Sequence, residues 1–145
     1  MARIKIDLPA TFSFSTTIPI RITDLNFGGH VGNDTILSII HEARAKFFQY
    51  LGYDELNFGG VGTIMNDVAI EYKNQIYYGD EIIASVAIGE ITRVGFDIFY
   101  KLEKMTTGGK KTTAALAKTG IICYNYGLKK IAPIPANAVE RITSL

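Results

Sequence analysis

The segment 23–44 reads TDLNFGGHVGNDTILSIIHEAR and concentrates polar residues at the start of a strongly apolar stretch. It holds Asp24 and Asp34, Asn26 and Asn33, His30 and His41, Glu42, Arg44 and three glycines, Gly28, Gly29 and Gly32. An imidazole exchanges protons near neutral pH, and His30, set among glycines, has little packing to do, so proton transfer is its natural role. Asp24 and Asn26 suit either turn hydrogen bonds in a glycine-rich loop or a place beside His30. If the preceding strand continues, the two lie on one face of it. Asn33 or Asp34 is a helix N-cap. Glu42 and Lys46 are spaced for an i, i+4 ion pair, and a structural role is favoured for Glu42. His41 and Arg44, three apart, flank one rim. Elsewhere, Asp67 and Glu71 fall on one face of a strand, Cys123 reads as a core thiol, and GGVG at 59–62 lacks the Lys and Ser/Thr of a phosphate loop. Two histidines and one cysteine, widely spaced, form no metal site.

Hydrophobic periodicity supplies the elements that must hold these groups. Residues 12–22 alternate as a strand, with Pro19 placing it at an edge or bulge. From 34 to 51, Ile36, Leu37, Ile39, Ile40, Ala43, Phe47, Tyr50 and Leu51 recur at helical spacing, and Gly52 is a suitable stop. Four strand-like runs follow at 63–76, 81–93, 95–105 and 112–126, separated by turn signals at 78–80, 94–95 and 107–109. In the third run Phe96, Ile98, Tyr100 and Leu102 alternate with polar residues. Short turns predict an antiparallel meander, and the residues after Pro135 a short final helix. One helix on one sheet is an α+β layout. It leaves sheet edges that dimerisation would cover.

Composition narrows the function classes. The 145 residues suit one domain spanning 1–145. The net charge is +1, from 15 basic and 14 acidic residues, and the basic residues are scattered. Only Lys110-Lys111 and Lys129-Lys130 are doublets, so nucleic acid is not expected as a partner. One cysteine permits no intrachain disulfide, and with no secretory pattern at the start a cytoplasmic location is expected. No run is long enough for a membrane span.

The order and spacing of these motifs resemble the hotdog-fold thioesterases, in particular the 4-hydroxybenzoyl-CoA thioesterase-like branch. The family's TD-x-x-GHVNN…E-x-AR opening is echoed by 23–33 and by His41-Glu42-Ala43-Arg44. Its second motif is echoed by IMNDVAIEYKNQIYYGDEI at 64–82, and its ending by AKTGIICYN and IAPIP. The resemblance implies one long central helix wrapped by an antiparallel sheet of about five strands. It also implies hydrolysis of an acyl-CoA or related acyl thioester, without a cofactor, at the interface of a homodimer or of a homotetramer built from dimers.

On that reading the thioester carbonyl points at the amide of Gly32 or Asn33, where the helix N-terminus offers free N–H groups and a positive dipole end. Arg44, Lys73 and Arg93 are the candidate partners of the CoA phosphates. The family's usual catalytic aspartate falls at Asn26, and an amide is neither base nor nucleophile. Either Asp24 compensates, or His30 is the base while Asn26 orients water or binds the carbonyl. Two other readings follow from this departure. A hotdog hydratase is one, because Asp24-Leu25-Asn26 with His30 echoes an Asp-x-Asn-Pro-x-His motif, without the proline and one residue out of step. A non-catalytic acyl-thioester-binding protein is the other.

Overall fold

A computed structural model describes residues 2–106 and 108–145; Thr107, in the turn expected at 107–109, lies outside the described residues. The elements are β1 (Phe14–Pro19), α1 (Asn33–Leu51), β2 (Gly62–Tyr72), β3 (Glu81–Ile91), β4 (Gly95–Met105), β5 (Lys111–Asn125), β6 (Lys130–Ile131) and α2 (Ala136–Thr143), with a 3-10 turn at Ile22–Asp24. All pairings are antiparallel, in the order β1-β3-β4-β5-β2, with the two-residue β6 added beyond the path on β5. The α+β class holds, with six strands where about five are expected. Pro19 does lie on an edge strand, where its missing N–H costs no ladder bond.

The meander is correct for β3-β4-β5 and wrong for β2, which pairs with β5 at the far edge. The turn at 77–80 has hairpin chemistry: Asp80 N–H donates to the Tyr77 carbonyl (3.1 Å) and the Asp80 carboxylate accepts Tyr77 N–H (2.9 Å). However, β2 has already ended at Tyr72. Residues 73–78 instead carry the chain across the open end of the sheet. There Ile76 accepts Val31 N–H (2.8 Å) and Tyr77 bridges to His30. This crossover, which local turn signals do not distinguish from a hairpin, becomes one wall of the site.

The sheet curls around α1 because bulky residues on its central strand are flanked by small ones. Leu102 sits between Ala84 and Ala115, and Tyr100 between Val86 and Ala117. Against this face α1 buries Ile36, Ile39, Ile40, Ala43, Phe47, Phe48 and Leu51. Full burial of each larger side chain contributes about 1.5–3 kcal/mol. Phe14 stacks on Phe47 (centroids 5.6 Å apart), and Phe58 lies between Phe48 (4.9 Å) and Phe96 (5.2 Å). The phenol of Tyr100 would be stranded in this core without Thr119 Oγ1, 2.8 Å away. Burial pushes that phenol above its usual range. Cys123 is a buried thiol pushed up to about 11 by desolvation, so it carries little thiolate at neutral pH.

Helix α1 ends where Gly52 adopts the left-handed conformation (φ 88°). Its N-cap is Gly32, not Asn33 or Asp34, and no side chain caps it. A Cβ at Gly32 would stand 2.6 Å from Asp34 Oδ1, so a larger residue there must displace the Asp34 carboxylate. No helix among the described residues is long and apolar enough to cross a membrane.

Candidate active site

The loop into α1 is a tight hairpin. Leu25 bridges Val31, Asn26 N–H donates to the His30 carbonyl (2.8 Å), and Gly29 N–H returns to the Asn26 carbonyl (3.1 Å). Gly29 sits at φ 82°, a conformation glycine adopts without strain. The Asn26 side chain folds inward, its Oδ1 accepting Gly28 N–H at 2.9 Å. That bond fixes the amide orientation and leaves the NH₂ as the free end, a donor. His30 Nδ1 lies 3.2 Å from the Val31 carbonyl. A carbonyl only accepts, so this contact selects the tautomer with the proton on Nδ1 and leaves the Nε2 lone pair free. A Cβ placed on Gly28 would lie 3.3 Å from Asn26 Oδ1 and 3.5 Å from His30 Nε2, so the glycine allows the two side chains to close around it.

His30 and Asn33 open into a cleft of about 280 Å³ whose other walls include Ile36, Tyr72, Lys73 and Gln75. Tyr72 Oη donates to the Asn33 carbonyl (2.9 Å), tying the end of β2 to the first turn of α1. That first turn has no side-chain cap: Thr35 N–H donates to the Gly32 carbonyl (3.0 Å), and the amides of Asn33 and Asp34 are left to a ligand or solvent beside the cleft that Asn33 lines. Three expected site residues, His30, Asn33 and Lys73, thus line one cleft; Gly32 lies in sequence between two of its lining residues, and Asn26 is tied to His30 through the hairpin. The Lys73 ammonium rests 2.7 Å from Glu71 Oε2, and the other Glu71 oxygen accepts Ile6 N–H (3.1 Å). Lys73 and the Ile6 amide hold Glu71 below the usual carboxylate range.

Asp24, Arg44 and Arg93 do not join this cleft. Asp24 does not stand beside Asn26 on a continuing strand, because β1 stops at Pro19. Its buried carboxylate caps the 3-10 turn, accepting Arg21 N–H at 2.8 Å and the Arg21 guanidinium at 3.4 Å. It borders a separate groove of about 240 Å³ with Arg21, Ser38 and Glu42. Glu42 pairs with Lys46 at 3.9 Å, as the spacing predicts. Arg44 is buried and its Nε donates to Glu55 Oε1 (3.1 Å), so it is not free for a phosphate. Arg93 stands in the β3–β4 turn, seven register positions from the Tyr72–Ala115 pair, or roughly 23 Å at strand rise. Within one chain it cannot join Lys73. Asp67 meets Lys118 (2.7 Å), which also reaches Asp97 (3.3 Å). Among the described residues no group of three or more His, Cys, Asp or Glu is placed to hold a metal ion.

Sequence reading missed Glu55, which does unite His41 and Arg44 on one rim. His41 Nε2 lies 3.0 Å from Oε2, and two bonds from Thr63 hold the Glu55 carbonyl (2.8 and 2.9 Å). Partial burial pushes the carboxyl up, but the bonds from His41 and Arg44 outweigh it and hold Glu55 below the usual carboxylate range. A group depressed in this way stabilises the fold above its unfolded pKa, and the contribution is lost as pH falls through its folded value. Glu55→Gln should therefore cost about 1–2 kcal/mol at pH 7, a figure reduced because the side chain is one-third exposed. Urea unfolding at pH 7 and pH 3 checks this, and the gap to wild type should close at the lower pH.

A long helix enclosed by one antiparallel sheet, with a histidine and an open helix N-terminus in a cleft at the sheet's end, defines the hotdog class. Residues 20–142 match the model of the thioesterase-like superfamily, and the chain belongs to that superfamily. No curated protein matches its sequence. Among solved structures, 4-hydroxybenzoyl-CoA thioesterase from Pseudomonas sp. strain CBS-3 superposes with a TM-score of 0.81 at 18% identity, covering 90% of this chain and 99% of that one. A 1,4-dihydroxy-2-naphthoyl-CoA thioesterase from Synechocystis gives 0.79 at 19% identity over 91% and 96%. A thioesterase from Thermus thermophilus, complexed with coenzyme A and Zn, gives 0.77 at 24% identity over 94% and 96%. At these identities the likeness establishes the fold.

Proposed function

We propose that this chain, acting as one domain over 1–145, hydrolyses an acyl-CoA or related acyl thioester in the His30 cleft. The observation that carries the reading is the convergence of a free His30 Nε2 and the open first turn of α1 in one cleft of a thioesterase-superfamily fold. The thioester carbonyl lies against the amides of Gly32 and Asn33, whose N–H groups meet the oxyanion as it forms. The Asn26 NH₂ supplies a further donor. His30 Nε2 takes the proton from the attacking water and returns it to the departing thiolate. Lys73 lines the cleft and, unlike the buried Arg44, is 42% exposed, so it can exchange its Glu71 partner for a CoA phosphate.

The site is completed in a homodimer. β2 is an edge strand with Met65, Val68 and Tyr72 exposed, and the cleft opens at its end, so pairing of two β2 edges brings a second chain to the site. A homotetramer of two such dimers remains compatible with this arrangement. The lone buried cysteine suits a reducing compartment such as the cytoplasm.

One observation favours a second reading. Among the described residues no carboxylate lines the cleft beside His30, since Asn26 is an amide and Asp24 is committed to its turn. A non-catalytic acyl-thioester-binding protein is therefore the alternative. The hydratase reading loses its aspartate by the same geometry. Incubating the purified protein with a panel of acyl-CoAs while following free thiol decides the matter. Thiol release supports hydrolysis, loss of enoyl absorbance supports hydration, and saturable binding without turnover supports the binding protein.

A further inference from the structure

The stretch ahead of β1 carries information that the site does not use. It reads IKIDLPATF at 4–12, and Ile4, Ile6 and Leu8 alternate with Lys5 and Asp7 as in a strand with one apolar face. Two hydrogen bonds fix its course. Ser13 N–H donates to the Val86 carbonyl at the β1–β3 edge of the sheet (3.2 Å). Ile6 N–H donates to Glu71 Oε1 on β2, the opposite edge (3.1 Å). From β1 to β2 there are four strand spacings, about 19 Å, and the seven Cα-to-Cα steps from Ile6 to Ser13 reach at most about 25 Å. The segment therefore crosses the sheet almost straight, over β3, β4 and β5.

It crosses on the face away from α1. Register places Tyr72 and Ile70 with Ala115 and Ala117 on the helix side, so Glu71, opposite Leu116, points outward. In the same layer the outward residues are Ser85 and Ala87 on β3, Phe99 and Lys101 on β4, and Leu116 and Lys118 on β5. Burial agrees with this course: Ile6, Leu8, Pro9 and Phe12 are half-buried while Lys5 and Asp7 are exposed. Ala87, which faces away from the core, is only 4% exposed. Thr11 and Phe12 share a cavity with Ala87 and Gly89. The edge of the Phe99 ring occupies the space over Gly89, its Cε2 2.5 Å from where a Cβ would be.

We propose that residues 2–12 form a strap that covers the outer face of the sheet in place of a second copy of this chain. Without the strap, Ala87 and Phe99, paired across β3 and β4, and Leu116, diagonal to Phe99 on β5, would be uncovered, apolar surface of the kind that promotes association. Charges of both signs border it in close pairs, Lys101 with Glu103 (3.8 Å) and Lys118 with Asp67 and Asp97. A face carrying both signs can meet its own copy across a two-fold axis without like-charge repulsion. The strap thus determines whether protomers assemble through the sheet faces, independently of the β2 edge and of the cleft.

The test compares full-length protein with a variant lacking residues 2–10 and with full-length Ile6→Asp/Leu8→Asp, which places two carboxylates under the strap. Sedimentation at micromolar concentration, far-UV circular dichroism and limited proteolysis of the segment are the readouts. The expected result is a doubled mass for both variants relative to wild type, with helix and strand content unchanged. In the double-aspartate protein, cleavage of the strap should be at least tenfold faster. A folded deletion variant at the parental mass would overturn the proposal. Should the deletion fail to fold, the double-aspartate protein decides: a parental mass with a released strap overturns the proposal, as does a strap still fully protected. None of these readouts depends on thioester turnover, so a failed strap and a failed hydrolase reading remain distinguishable.

Discussion

His30→Ala should lower kcat for acyl-CoA hydrolysis by about 10²–10⁴, the usual contribution of a positioned general acid–base group. KM should move little, because the ring is placed to serve the proton of water rather than the bulk of the substrate. The fold should survive: His30 is half-buried, and its one side-chain bond is to the neighbouring Val31 carbonyl. The hairpin that carries it is held by the Asn26–His30 and Asn26–Gly29 backbone bonds, which the substitution leaves in place. His30→Gln sharpens the experiment, since it keeps a polar side chain of similar reach but cannot take up a proton at neutral pH. Equal loss in both variants marks proton transfer. Near-full activity in His30→Gln would reassign the residue to hydrogen bonding alone, and full activity in His30→Ala would remove it from the mechanism.

What could be read from the sequence divides along a physical line. Local periodicity is set by which face of an element meets the core, so α1, the alternation along β4 and the final helix were legible. β6 was not, being two residues after a turn with no room for a pattern. Pairing partners depend on long-range packing: the turn at 77–80 looks like a hairpin from within, and only the fold shows that β2 has left for the other edge. The candidate site follows the same division. That His30, Gly32 and Asn33 would stand together at the start of α1 was legible, because a glycine-rich run leads straight into an apolar helix. The fates of Asp24 and Arg44 were not, because each is decided by a partner: the Arg21 amide three residues away for one, and Glu55 eleven residues away for the other. Charge alone does not show whether a residue is free or already paired. The alternation at 4–8 was a readable signal for the strap, but its docking edge is on β2, and nothing local points there.

Asn26→Asp tests whether this chain still carries out its superfamily's chemistry. The substitution is unusually clean. Oδ1 already accepts the Gly28 N–H, and a carboxylate oxygen accepts it equally well, so the turn and the hairpin should be kept. Only the outward end changes, from an NH₂ donor to a carboxylate oxygen beside the N-terminus of α1, where the dipole favours negative charge. A carboxylate there supplies the base or nucleophile that the sequence resemblance implies at this position. If His30 now does work formerly shared with that carboxylate, Asn26→Asp should raise kcat by roughly tenfold or more, and in that background His30→Ala should cost less than it does in the parent. If instead the Asn26 NH₂ holds the thioester oxygen, a carboxylate will repel the forming oxyanion and kcat should fall by about 10²–10³, the range seen when a single oxyanion donor is lost. Steady-state kinetics on one good acyl-CoA substrate separates the two, because the signs are opposite. Tight acyl-CoA binding with no turnover in either the parent or Asn26→Asp would end the hydrolase reading and leave a thioester-binding protein whose chemistry is not restored by one carboxylate.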